Sequence, residues 1–226
     1  MTTKSEKDKP YRRIFLVRHG KTDWNHELKC QGHSDTPLNG EGEAQARLAG
    51  WRFFGAVFDH VYSSPLSRAR RTAEIIMEGS LSGKPIKNRD ELREMGFGSW
   101  EGQSIPHIRE TEKEGFERWL AAPFSNHPDG GETYDEIRSR VTSFADELKR
   151  RDDYEKILVV SHGGILRALI AAMLNFDDMN LMWRMRLENC SITIVDVWNE
   201  TASLLLLNDT QHLRLKHGST IASLVY

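Results

Sequence analysis

Two stretches of the sequence end an aliphatic run in histidine and glycine: Ile14-Phe15-Leu16-Val17-Arg18-His19-Gly20 and Ile157-Leu158-Val159-Val160-Ser161-His162-Gly163-Gly164. Short apolar runs rich in β-branched residues read as buried strands. The carboxyl ends of such strands are where open α/β sheets bind ligands. Taken alone, Arg18-His19-Gly20 reads equally well as an ordinary polar loop. Two such ends side by side place two imidazoles in one crevice. Ser63, Ser64, Arg68 and Glu94 fall at other predicted strand ends or helix starts. Two cations, two imidazoles and a carboxylate suit metal-free phosphoryl transfer. An imidazole attacks phosphorus in line and forms a phosphohistidine, while fixed donors take the charge on the equatorial oxygens. Neighbouring arginines depress the imidazole pKa and keep the ring neutral and nucleophilic. A nearby carboxylic acid protonates the leaving oxygen and then deprotonates the attacking water.

Competing chemistries fail on spacing. The sequence has no Walker-type phosphate loop, no strand-associated G-x-G-x-x-G, no G-x-S-x-G elbow and no H-E-x-x-H. A metal site stays open because there are nine histidines and many acids, but His26 and His33 lie in a predicted loop and no acid adjoins His19 or His162. With 31 Lys plus Arg against 33 Asp plus Glu, no global field draws nucleic acid or an anionic membrane, so anion binding must be local. Cys30 and Cys190 form no metal-like cluster, and Met1 to Lys9 lacks an apolar signal core. The expectation is a cytoplasmic protein with two free thiols and no membrane span.

The elements that must position these residues follow in order. Residues 1–10 read as a loose leader. After the first strand, a long polar loop from Lys21 to Leu38 carries Trp24, Asn25, Gln31, Gly32 and Pro37, and its length marks it as functional. A helix capped by Asn39 follows, with Ala44, Leu48 and Trp51 expected on its buried face. Val57 to Tyr62 reads as a strand, and a helix from Ser67 to Glu78 has Pro65 just before it. Arg68, Arg70 and Arg71 crowd its first turns, where the macrodipole disfavours cations, so at least one should meet an anion; a solvated basic face suits Arg70 and Arg71. A short strand spans Pro85 to Asn88. Gly96, Gly98 and Gly102 then mark an irregular loop whose backbone approaches something closely. Residues 104–134 read as an excursion that covers a pocket. A helix from Thr133 to Arg150 follows, with Ile137, Val141, Phe144 and Leu148 on one side. Past His162 come a helix from Ile165 to Leu174 and an antiparallel pair, Cys190 to Val197 and Ala202 to Asn208. The alternation predicts one α/β domain over residues 11–213, a three-layer α/β/α sandwich with a mostly parallel sheet and one antiparallel edge region, followed by a tail at 214–226.

Leu16-Val17-Arg18-His19-Gly20, the Thr22-x-x-Asn25 spacing, Gln31-Gly32, Pro37-Leu38, Ser63-Ser64-Pro65-Leu66-x-Arg68-Ala69 and Thr72-Ala73 together resemble the histidine phosphatase, or phosphoglycerate-mutase-like, superfamily. Leu92-Arg93-Glu94, Phe97-Gly98-x-Trp100-Glu101-Gly102, Gly130-Gly131-Glu132 and Ser161-His162-Gly163-Gly164 extend the resemblance over Ile14 to Leu213. It implies His19 as the phosphorylated nucleophile and Arg18, Arg68 and His162 as the phosphate pocket. Glu94 becomes the proton donor and acceptor, Thr22, Asn25, Gln31, Gly32 and the Gly163 backbone line the same pocket, and no metal or other cofactor is needed. Lys21 stands where the motif often has an acid, which adds a cation near the pocket mouth.

Phosphatases of this kind pass the phosphohistidine to water, and mutases return it to a phosphoglycerate. Gly96 to Lys156 lacks the Arg-rich, Tyr-Asp-x-Pro-Pro-Pro-like insertion of the similar mutases. It offers Phe116, Trp119, Phe124 and Tyr134, suited to a flatter, less charged substrate, unless they pack the excursion onto the core, the reading favoured for Phe116 and Trp119. Gln31-Gly32-His33-Ser34-Asp35 and Leu207-Asn208-Asp209-Thr210 look most like the small bacterial phosphatases that act on α-ribazole 5′-phosphate or more broadly. A cofactor-dependent phosphoglycerate mutase is the alternative, and a non-catalytic binding member is disfavoured because all five core positions are filled. The expected partner is a small phosphate ester, with no nucleic acid and no membrane. Oligomeric state is left open, a homodimer included.

Overall fold

The two histidine-ended runs are neighbouring parallel strands, β1 (Arg12–Arg18) and β4 (Glu155–Ser161), registered with Arg18 opposite Ser161. A computed structural model of the chain describes residues 12–150, 155–198 and 201–214. The expected leader at 1–10, and all of the expected tail except Arg214, lie outside these residues. Further strands are β2 (His60–Ser63), β3 (Ile86–Asn88), β5 (Ile192–Trp198) and β6 (Thr201–Asp209). Among the described residues they form a six-stranded sheet in the order β3-β2-β4-β1-β5-β6. The first four run parallel, and β5 and β6 add antiparallel at one edge.

Period-two alternation distributes the aliphatic runs to two cores. Ile14, Leu16, Ile157 and Val159 face α6 (Tyr134–Lys149) and α7 (Gly163–Met173), packing with Phe144, Leu148 and Leu169. Phe15, Val17, Leu158 and Val160 face α2 (Gly40–Arg52) and α3 (Ser67–Met77), packing with Ala46, Ala49, Ala73 and Ile76. A strand covered on both faces has no polar side to show, which is why both runs read as unbroken apolar stretches. The result is the expected three-layer sandwich. Among the described residues no helix is long and apolar enough to cross a membrane.

Several local expectations need correction. On α2 the buried residues are Gly42, Ala46, Ala49 and Gly50, whereas Ala44 is exposed, Leu48 half-buried and Trp51 78% exposed. The helix lies too close to α3 for bulky residues, since a β-carbon at Gly50 would sit 3.3 Å from the Ile75 carbonyl. The strand expected at Val57 to Tyr62 starts only at His60; Phe58 is buried instead by edge-to-face packing against Phe15 and Phe53. Helix α3 starts at Ser67 as expected, whereas α7 starts at Gly163, two residues earlier than expected. The long polar loop contains a one-turn helix, α1 (Asp23–His26), closed by a reciprocal Thr22–Asn25 capping box.

The excursion resolves into α4 (Ile105–Thr111), α5 (Lys113–Ala121) and a turn-rich stretch before α6. Phe116, Trp119 and Phe124 are 4%, 7% and 1% exposed and interlock with Trp100 and Trp183, and Tyr134 packs against the same core. The idea that they offer a flat substrate surface is therefore overturned for the three buried rings. Their apolar area anchors the excursion, each full burial contributing roughly 2–3 kcal/mol.

Candidate active site

Because Arg18 pairs with Ser161, the next residue of each strand lies side by side, and the His19 N–H donates to the Ser161 carbonyl at 2.9 Å. The His19 and His162 rings sit 5.0 Å apart between centroids, and both are buried. Their hydrogen bonds differ. His19 Nδ1 lies 2.7 Å from the Gly20 carbonyl, an acceptor, so Nδ1 carries the proton and Nε2 keeps its lone pair. Burial, then Arg68 and Arg18, hold this imidazole well below the usual histidine range, outweighing the opposing carbonyl.

Arg68, the second residue of α3, is fully buried and points back toward the helix N-terminus. Its Nη2 and Nη1 donate to the carbonyls of Gly32 (2.7 Å) and Ser34 (2.8 Å), and its Nε donates to His162 Nδ1 at 3.2 Å. An acceptor Nδ1 leaves the His162 proton on Nε2, which donates to Ser64 Oγ at 2.8 Å. Both ring nitrogens of His162 are therefore engaged, and the ring orients Arg68. Burial, then Arg68 and His19, hold its pKa well below the usual range as well. Arg70 and Arg71 pair with Glu74 and, for Arg71, Glu43, so Arg68 is the inward-pointing cation of this helix.

The loop that receives Arg68 is shaped by glycine and a carboxylate. Gly32 has φ +53, the left-handed region, and a β-carbon there would run into the Glu101 carboxylate. Glu101 accepts from the N–H groups of His33, Ser34 and Phe97 and from Ser34 Oγ. Burial raises its pKa, yet these donors prevail and hold it below the carboxylate range. Gln31 accepts from Thr36 Oγ1, and Asp35 accepts from the Ser67 N–H at the start of α3. Thr22 and Asn25 bond to each other in the capping box, and Asn189 Nδ2 reaches the His19 carbonyl at 3.0 Å. Lys21 is ion-paired with Glu41 at 2.6 Å, so the extra cation expected at the pocket mouth is largely neutralised.

Glu94 caps α7: its carboxylate accepts from the N–H groups of Gly164 (3.3 Å) and Ile165 (3.2 Å) and from its own neighbour Met95. Its segment is clamped by Arg140, which donates to the carbonyls of Glu91, Arg93 and Glu94 and is held by a two-pronged bond to Glu132. Gly163 opens α7, where helix geometry leaves the N–H without an intrahelical acceptor. Arg18 donates Nη1 to the Leu187 carbonyl at 2.6 Å, and its Nε is buried without an acceptor. Burial lowers its pKa, against the attraction of Glu94 and Glu188. A large open groove of about 1110 Å³ lies to one side, along His33, Gly96, Glu132 and Arg140. It does not include the imidazole pair. Among the described residues no group of three or more His, Cys, Asp or Glu could hold a metal ion.

The five core residues thus converge, drawn from β1, α3, the segment before Gly96 and the β4–α7 junction. A neutral imidazole with a free Nε2, two guanidiniums, a helix N-terminus and a carboxylate can attack, hold and protonate a phosphate ester. Two contributors escaped sequence reasoning. Asn189 bonds a backbone atom far away in sequence and leaves no pattern. Arg140 sits on a helix whose periodicity explains only its apolar face.

The chain is similar to known phosphatases. Phosphoserine phosphatase 1 of Hydrogenobacter thermophilus is 31% identical over 89% of this chain and 94% of its own. The adenosylcobalamin/alpha-ribazole phosphatase of Salmonella typhimurium is 34% identical over 87% and 96% respectively. The crystal structure of the alpha-ribazole phosphatase from Shigella flexneri superposes with a TM-score of 0.77 at 31% identity, covering 87% of this chain and 96% of that one. The family model described as histidine phosphatase superfamily (branch 1) matches residues 14–210, and the chain belongs to that family.

Proposed function

We propose that this phosphatase hydrolyses small-molecule phosphate monoesters through a phosphohistidine on His19. The observation that carries the reading is the His19 Nδ1–H bond to Gly20, which fixes the tautomer with a nucleophilic Nε2 inside a cage of arginines. In the first step Nε2 forms a bond to phosphorus as the ester P–O bond breaks, and Glu94 gives its proton to the leaving oxygen. Arg18 and Arg68 neutralise the equatorial oxygens, the phosphate supplying the acceptor that the buried Arg18 Nε lacks. In the second step Glu94 takes a proton from water as its oxygen attacks phosphorus and the N–P bond breaks. Thr22, Asn25, Gln31, Gly32 and the Gly163 N–H line the pocket.

No metal takes part in this scheme. The test is hydrolysis of p-nitrophenyl phosphate with a chelator present, with acid-labile labelling of His19 followed in parallel. Full activity and label are expected; loss of activity to the chelator would overturn the metal-free scheme. A panel with α-ribazole 5′-phosphate, phosphoserine and 3-phosphoglycerate, including a mutase assay, ranks substrates. Faster phosphoryl transfer to a phosphoglycerate than to water would favour the mutase reading.

A further inference from the structure

Arg167 is the one charged residue in α7, whose other residues are glycine or apolar. Its Nη1 donates to the Gly163 carbonyl one turn earlier (2.9 Å) and its Nε to the Met185 carbonyl (2.7 Å). The guanidinium lies over the Trp183 ring, 4.8 Å from the centroid. It forms no ion pair among the described residues; burial, and then Arg18, bring its pKa down to about 10 against the attraction of Glu94. A desolvated cation without an ion-pair partner is costly to keep, so its place needs an explanation.

The surroundings supply one. The first turn of α7 is faced from two sides. Glu94 approaches from the Gly164 side, where an added β-carbon would meet the Glu94 carboxylate. Arg18 and Arg167 approach from the Gly163 side, where an added β-carbon would lie 3.4 Å from Arg18 Nε and 3.2 Å from Arg167 Nη1. In the scheme above Arg18 and Arg68 serve the phosphate, and Arg167, beside Arg18 at Gly163 and within the field of Glu94, is a third guanidinium at this turn. Charge points the same way. Arg18 also feels Glu188, itself ion-paired with Arg186, so Arg167 is the guanidinium of this turn whose positive charge no carboxylate pairs among the described residues. A carboxylate on the leaving group balances it, in the planar pairing that guanidinium favours.

We propose that Arg167 is a specificity-determining residue that recognises a carboxylate on the leaving group, making carboxylated small phosphate esters the substrate class. This rests on the phosphohistidine reading above.

The test compares kcat/KM for phosphoserine and 3-phosphoglycerate with that for phosphoethanolamine and glycerol 3-phosphate, in the parent protein, Arg167→Gln and Arg167→Lys. The parent is expected to prefer the carboxylated esters. Arg167→Gln should lose about 30-fold on them, mainly in KM, the range expected for losing a hydrogen bond to a charged group. It should stay within about threefold on the other pair. Arg167→Lys, which keeps the charge without the fork, should recover part of the loss. Equal losses on both pairs, or no preference in the parent, would overturn the proposal, and thermal melting of each variant separates misfolding from lost recognition. Failure of the underlying reading looks different: no acid-labile label on His19 from p-nitrophenyl phosphate. A normal label with equal losses sinks Arg167 alone.

Discussion

Strands β1 and β4 are parallel neighbours with the same layout, yet their terminal histidines do different work. The His19 ring bonds the carbonyl of the next residue through Nδ1 and keeps Nε2 free. His162 is held at both nitrogens, by Arg68 and by Ser64. In the proposed scheme the same residue type on the same kind of strand end serves as a nucleophile in one place and as a positioning group in the other. The choice lies in what surrounds each ring: the neighbouring Gly20 carbonyl for His19, and for His162 a guanidinium whose Nε–H forces an acceptor onto Nδ1.

The comparison breaks most visibly at the nucleophile. His19→Ala should abolish turnover and acid-labile labelling together, because the other ring of the pair, His162, has both nitrogens engaged. Rate assays and phosphoenzyme labelling check this. A persistent label in His19→Ala, transferred to His162, would erase the distinction between the two rings. Next in size is Arg68→Ala, which removes a phosphate donor and unties the loop carbonyls of Gly32 and Ser34 at once. About 3 kcal/mol of transition-state stabilisation should be lost, by the measure of a lost oxyanion donor. A near-normal kcat/KM would exclude Arg68 from the pocket.

How much of this was written in the sequence follows the range of each interaction. Strand runs, the α3 and α6 helices and the antiparallel edge were legible because period-two and period-3.6 patterns are local. The five core residues were legible as chemistry-bearing types at strand ends and helix starts. The buried face of α2 was not, because glycine and alanine packing against α3 reads as a weak apolar signal beside Leu48 and Trp51. The role of His162 was hidden because a sequence does not show which donor meets which ring nitrogen. Arg167 did leave a mark, a lone cation in an apolar helix, and it went unread. Arg140 acts through backbone groups of a distant segment, where side-chain spacing says nothing, and Glu101, although part of the Phe97-to-Gly102 motif, gives no sign in the sequence of its bonds to His33 and Ser34.

Ser64→Ala sharpens the comparison at the other ring. It removes the acceptor of the His162 Nε2–H and lets the imidazole turn, so Arg68 loses its fixed anchor. The expected cost is about 1–3 kcal/mol, the penalty for a buried donor left unpaired. It should appear in kcat/KM, with Ser64→Thr, which keeps the hydroxyl, recovering most of it. A structural role alone would lower melting temperature without moving the kinetic parameters, and that result would separate Ser64 from the site.

Stability against pH treats the two histidines alike where activity separates them, and this makes it the finest test. Both rings are neutral in the folded protein, with pKa values depressed first by burial and then by Arg68. An unfolded histidine titrates at about 6.5. Above that pH neither state binds the proton, and the pair adds nothing to the pH dependence. Below it the unfolded chain takes up protons that the folded chain refuses, so stability falls with falling pH until the folded pKa is reached. The slope approaches about 1.4 kcal/mol per pH unit for each histidine. Urea unfolding at several pH values between about 6.5 and 5.5 should therefore show a shallower fall in His19→Gln than in the parent, by up to that amount. His162→Gln should flatten the curve equally while starting from a lower plateau, because it also strips Arg68 of its acceptor. A parent slope unchanged by either substitution would mean that the rings are protonated in the folded state, and the free Nε2 that distinguishes His19 would be lost with it.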